Sequence, residues 1–161
     1  MFIKKMNGEE LIQLLFDKGY PVLPLQYNGR YFEGWKYFSP FDIQATHEFL
    51  IVFSGDFDFA QNIIGVLKFG LYHKGTTDEH YGINYVTVRE SFKHTGVARK
   101  LINAFNELDL NGTMVFCSEF SDYAMEVGFN KIVEAGLNNH TVLYDFKYII
   151  HKGSQDKEYV R

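Results

Sequence analysis

The sequence predicts an α/β (α+β) domain: a mixed, mostly antiparallel sheet of about six to seven strands, flanked by helices on both faces. Short apolar and β-branched runs recur along the chain, two of them, Phe49-Leu50-Ile51-Val52-Phe53 and Ile63-Ile64-Gly65-Val66-Leu67-Lys68-Phe69, on either side of Ser54-Gly55-Asp56. Segments with helical apolar spacing stand between such runs. The most informative stretch, Val88 to Ala98, joins a strand to a helix through a short polar loop centred on Gly96.

Taken in order, Met1 to Met6 reads as a short strand. Asn7-Gly8-Glu9-Glu10 then resembles a capping box, and Leu11, Leu14 and Leu15 make the apolar face of a helix stopped at Gly19. Pro21 to Pro40 is an aromatic-rich loop or short helix. The runs at 49–53 and 63–69 form an antiparallel pair around the 54–56 turn. After His73-Lys74-Gly75-Thr76-Thr77, the stretch from His80 to Val88 is rich in β-branched and aromatic residues and reads as a strand. Val97, Leu101, Phe105 and Leu108 share one stripe of a helix ending near Asp109. Thr113 to Ser118 is another strand, Ser121 to Val127 a short helix stopped at Gly128-Phe129, and Asn130 to Glu134 with Val142 to Tyr148 a hairpin.

Residues 1–150 are expected to form one domain around one core, and 151–161 a polar tail. The 161 residues are 46% hydrophobic and 17% aromatic, ample material for that core. Cys117 is the only cysteine, which rules out an intramolecular disulfide and fits a buried thiol in a reducing compartment. With no signal segment or membrane-spanning run, a cytoplasmic location is expected. The six histidines, at 47, 73, 80, 94, 140 and 151, lack the spacing of a metal site, so no metal is expected. The net charge of −4 disfavours nucleic acid as a partner and mildly favours a cationic acceptor.

The glycine-centred junction is built to hold phosphate. The first N–H groups of a helix lack acceptors and carry the positive end of its dipole. Gly96 lets a ligand approach the backbone, Ala98 keeps the next turn thin, and Lys93, His94, Arg99 and Lys100 surround the mouth with polar or cationic groups. An ordinary surface turn before a basic helix is the bland reading of the same residues.

Lys93-His94-Thr95-Gly96-Val97-Ala98, following a strand that closes on Val88, resembles the signature loop of the GNAT superfamily of N-acetyltransferases. That loop reads Arg or Gln, two variable residues, Gly, one variable residue, then Gly or Ala. Lys93 keeps the charge of the first position and loses the planar fork of donors. The resemblance extends over most of the chain through the order of its elements. It implies acetyl-CoA as cofactor, with the backbone of Val86, Thr87 and Val88 along the pantetheine arm and residues 93 to 98, with Arg99 beside them, around the pyrophosphate. It also implies direct attack by a neutral amine on the thioester, with no acyl-enzyme. The partner is then an amine-bearing acceptor, a small molecule or a protein. No membrane partner is expected, and oligomeric state is left open, a homodimer included.

The chemistry sets three tasks. A backbone N–H near Val88 would polarise the carbonyl. A base must take a proton from the amine, since presenting a lysine-like group of pKa ~10.4 neutral at pH 7 costs about 4 to 5 kcal/mol. The family often places Glu or His four or six residues before the Val88 position, and here stand Asn84 and Gly82. Asn84 could hold a relay water, and His80 lies on the same strand face with an ordinary pKa near ~6.5. The alternative for His80 is a strand-edge residue in solvent beside Asp78 and Glu79, and Glu119 is a reserve base. Protonation of the departing thiolate falls to Tyr123, next to the family's usual position at Ala124. Tyr31, Trp35 and Tyr37 are candidates for an acceptor wall, or else simply cover the sheet. Cys117 lacks an evident partner base and is read as structural. The runner-up function is a GNAT-fold module that binds CoA or a protein without transferring acetyl. A third, an RNA-directed acetyltransferase, sits poorly with the acidic balance.

Overall fold

The structure is a computed structural model that describes residues 1–16, 31–35, 38–39, 43–57, 59–77, 79–108, 114–117 and 141–144. The expected helix at 121–127, the first hairpin strand at 130–134, the tail and the candidates Tyr37, Glu119 and Tyr123 lie outside the described residues. The chain divides into two compact units, Met1–Lys68 with Tyr85–Leu101, and Phe69–Asn84 with Ile102–Arg161.

In the first unit, β1 (Phe2–Asn7) runs antiparallel to β2 (Glu48–Phe53), in register from Phe2 opposite Phe53 to Asn7 opposite Glu48. Helix α1 (Gly8–Phe16) starts directly after β1 because its cap is local. Asn7 Oδ1 accepts from the Glu10 N–H at 2.8 Å while Glu10 Oε1 accepts from the Asn7 N–H at 3.1 Å, the reciprocal pair of a capping box. Leu11, Leu14 and Leu15 are buried as their spacing requires, and pack with Phe49, Ile51, Phe53, Trp35 and Phe38 in the core of this unit. Gly8 is sterically required, since a Cβ there would lie 1.8 Å from the Gln44 carbonyl oxygen.

The first four strands neighbour one another in chain order and are antiparallel, which short connections permit. The link from β2 to β3 (Ile63–Tyr72) is longer than the expected three-residue turn. It runs from Ser54 to Asn62 and closes on a 3-10 turn at Ala60–Asn62, with the Ser54 N–H donating to the Asn62 carbonyl at 2.7 Å. The Asn62 side-chain amide also donates to the Asp56 carbonyl at 3.1 Å, which braces the longer loop.

In the second unit, the end of β3 and the start of β4 (His80–Val88) are followed by β5 (Met114–Cys117) and β6 (Thr141–Tyr144). β5 is parallel to β4, with Tyr81, Gly82 and Ile83 opposite Val115, Phe116 and Cys117. A parallel neighbour needs a crossover, and helix α2 (Val97–Asn106) lies in the chain between the two strands. The helix stops at Asn106, short of the expected end near Asp109. β6 is also parallel to β5, from Met114 opposite Thr141 to Cys117 opposite Tyr144. No described helix is long and apolar enough to cross a membrane, and no described group of His, Cys, Asp and Glu could hold a metal ion.

Candidate functional site

The junction between β4 and α2 is a tight loop with two residues in the left-handed region. After Val88 the chain makes a 3-10 turn at Glu90–Phe92, and the Thr95 hydroxyl donates back to the Phe92 carbonyl, fastening the loop from below. His94 and Gly96 both occupy the left-handed region, at φ 63° and 87°. His94 tolerates that conformation at a cost; Gly96 adopts it freely. The Lys100 N–H closes the first helical turn on the Gly96 carbonyl at 3.0 Å, so the N–H groups of Val97, Ala98 and Arg99 precede any helical acceptor. A Cβ on Gly96 would meet nothing within 4 Å, so the space over the loop is open.

What seats this helix start is a contact that the sequence reading missed. A Cβ on Gly65 would lie 2.4 Å from Val97 Cγ1 and 3.1 Å from Leu101 Cδ1, so the absent side chain lets α2 approach β3. Val97 is thus a core residue with 1% exposure. A glycine inside an otherwise apolar strand was the available signal. Lys93 is engaged by Glu90 at 3.1 Å, a partly exposed pair that contributes little to stability. His94, Thr95 and Arg99 are exposed, Ala98 half-buried. On β4, Thr87 is buried at 6% exposure and Val86 and Val88 are half-buried. The described register with β5 ends at Ile83, whereas β4 continues to Val88.

The chain is similar in structure to two solved acetyltransferase structures. Both are crystal structures of an aminoglycoside acetyltransferase from an uncultured soil metagenomic sample, one in complex with sisomicin and one with trehalose. They are 15% and 14% identical to this chain, each with a TM-score of 0.49, covering 82% of this chain and 86% of theirs. No protein-family model and no curated protein matches the sequence. A likeness of that depth assigns no role to any residue.

Within the second unit the structure brings His80 and Asn84 together around a residue that was not anticipated. Asn84 Nδ2 donates to the Tyr72 hydroxyl at 2.7 Å, and the Tyr72 ring stacks on the His80 imidazole with centroids 5.8 Å apart and planes 21° apart. The His73 ring lies tilted to the His80 imidazole, with centroids 5.7 Å apart. His80 is therefore half-buried in an aromatic stack, not a strand-edge histidine in open solvent. Asn84 Oδ1 is buried and has no hydrogen-bond partner.

In the first unit, Trp35 is buried at 5% exposure, packed edge-on to Phe38, with the Arg89 guanidinium over its ring. It covers core as well as facing polar groups, while Tyr31 is half-buried. Nearby in the same unit, the Lys68 ammonium lies 5.8 Å from the Tyr85 ring centroid. Burial first, and then the Lys68 charge, hold the His47 imidazole below its ordinary pKa near 6.5, so it prefers the neutral form.

Proposed function

We propose that the protein is an acetyl-CoA-dependent N-acetyltransferase that passes an acetyl group to a primary amine by direct attack, built on a GNAT-like domain and acting in the cytoplasm. The observation that carries this reading is the β4–α2 junction. A half-buried strand end leads into a loop with two left-handed residues, open space over Gly96 and the free N–H groups of a helix start.

The residues present fit the cofactor. The N–H groups of Val97, Ala98 and Arg99 would hold its pyrophosphate, with Lys93 and His94 adding charge and donors and Thr95 keeping the loop closed. The backbone of Val86, Thr87 and Val88 would align its pantetheine arm. When bound, acetyl-CoA supplies an acyl group already activated as a thioester. The chain's own task is then the proton. His80 would accept it from the ammonium, directly or through a water held by Asn84. Tyr123 would return one to the departing thiolate.

A second reading, a module that binds CoA or a protein partner without transfer, is favoured by one feature: positions 84 and 82, where the family carries a base, hold Asn and Gly. Incubating the protein with acetyl-CoA and a panel of amines, peptides and charged tRNA, while following free thiol, separates the two. Amine-dependent thiol release supports transfer. Tight acetyl-CoA binding without release supports a CoA-binding module, and no acetyl-CoA binding removes both the transferase and the CoA-binding module, leaving a protein-interaction module.

A further inference from the structure

Arg89, the first residue after β4, is fixed by backbone on both sides. Its N–H donates to the Ile64 carbonyl at 2.9 Å, and the Glu90 N–H donates to the Gly34 carbonyl at 2.8 Å. Gly34 takes φ 85°, and a Cβ there would lie 3.8 Å from Arg89 Cγ, so the 31–35 turn is laid along the arginine stem. Trp35 closes that turn, with its N–H donating to the Phe32 carbonyl at 3.0 Å. The guanidinium carbon stands 5.7 Å from the indole centroid.

Two donors in this contact have no acceptor. Trp35 Nε1 and Arg89 Nε are both closed to solvent and hydrogen-bond to nothing. Leaving a buried N–H unpaired is unfavourable, and more so for a charged group. The indole face attracts the cation but offers no lone pair to either N–H. Among the described residues no carboxylate bridges Arg89, and burial alone lowers its pKa. Arg89 is only half-buried, so part of the side chain still reaches the surface. A charged planar fork held rigid beside a neutral N–H in an apolar seat is the donor set that a carboxylate or phosphate takes up.

We infer that Arg89 and Trp35 form a binding subsite for an oxyanion, the carboxylate or phosphate group of a small ligand, received by the Arg89 Nε–H edge and the indole N–H. Anion binding at the subsite requires no reaction and none of the loop at 93–98; only the assignment of its source rests on the transfer reading. In a transferase the oxyanion has two sources, a phosphate of the cofactor or a carboxylate of the acceptor.

Trp35 is the chain's only tryptophan, so its emission reports on the subsite directly. The full chain is titrated with inorganic phosphate and with succinate, each against sodium chloride at equal ionic strength. A saturable emission change is expected with at least one of them. Arg89→Gln abolishes it, and Arg89→Lys, which keeps a cation over the indole but loses the fork, weakens the affinity by about tenfold or more. Circular dichroism and a melting curve identify which variant is folded, and one folded variant suffices. Repeating the titrations with acetyl-CoA present separates the sources. Loss of the phosphate response places a cofactor phosphate here, and a persisting succinate response places an acceptor carboxylate. No response to either anion beyond that to chloride, or an equal response in a folded Arg89 variant, overturns the subsite. Acetyl-CoA binding measured by melting temperature then judges the transfer reading separately.

Discussion

Gly65 and Val97 are complementary: the hydrogen that Gly65 carries in place of a side chain leaves room for a Val97 methyl group 2.4 Å from where a Cβ would stand. The strand residue thereby sets how closely the first turn of α2 approaches the sheet, and with it where the loop ending at Gly96 is held. Gly65→Ala must displace Val97 or the helix. Overpacking of this kind costs typically ~1–3 kcal/mol. Chemical denaturation should show a lower midpoint with an unchanged m-value, and an unaltered midpoint would mean that the helix yields freely.

Gly96 tests backbone conformation without packing. With nothing within 4 Å of its Cβ position and φ at 87°, Gly96→Ala should lose about 1–2 kcal/mol from left-handed strain alone. Gly96→Asn, which tolerates that region, should recover part of the loss. Equal stability of the Ala and Asn variants would show that strain is not the cause.

Much of this frame was legible because its determinants are local. Asn7 and Glu10 identify the α1 start through a cap closed within one turn, and the 3.6-residue stripe of Val97, Leu101 and Phe105 identifies α2. The His80–Val88 strand is marked by its own β-branched and aromatic composition. What was not legible arises from residues distant in the chain. Tyr72 reaches Asn84 only once β3 and β4 are side by side, and Arg89 finds Trp35 only when the 31–35 turn folds over it. The same holds for His80, whose sequence neighbours suggest solvent while its strand neighbour supplies an aromatic stack.

The Tyr72–Asn84 hydrogen bond yields a second kind of prediction. Tyr72→Phe leaves the Asn84 amide in a half-buried place without its one observed side-chain partner, and should cost about 1–3 kcal/mol. Under the transfer reading it should also slow amine-dependent thiol release, because the group around His80 loses its anchor. Unchanged stability by urea titration would show that Asn84 finds water instead.

His47 predicts how stability changes on the acid side. Its pKa in the folded chain lies below the ordinary 6.5, so between that lowered value and 6.5 the unfolded chain binds more protons than the folded one. Stability therefore falls as pH drops below about 6.5 and levels off, for this group, below the folded pKa. His47→Gln should flatten that part of the pH–stability curve. A slope unaffected by the substitution would assign the acid sensitivity to other groups.

Amide hydrogen exchange at Thr95, Gly96, Val97 and Ala98, with and without acetyl-CoA, tests the cofactor site most directly. Exchange at these four amides should slow when acetyl-CoA is added, together with a rise in melting temperature that Gly96→Ala diminishes. Exchange and melting temperature both indifferent to acetyl-CoA would contradict the reading of this junction as its binding site.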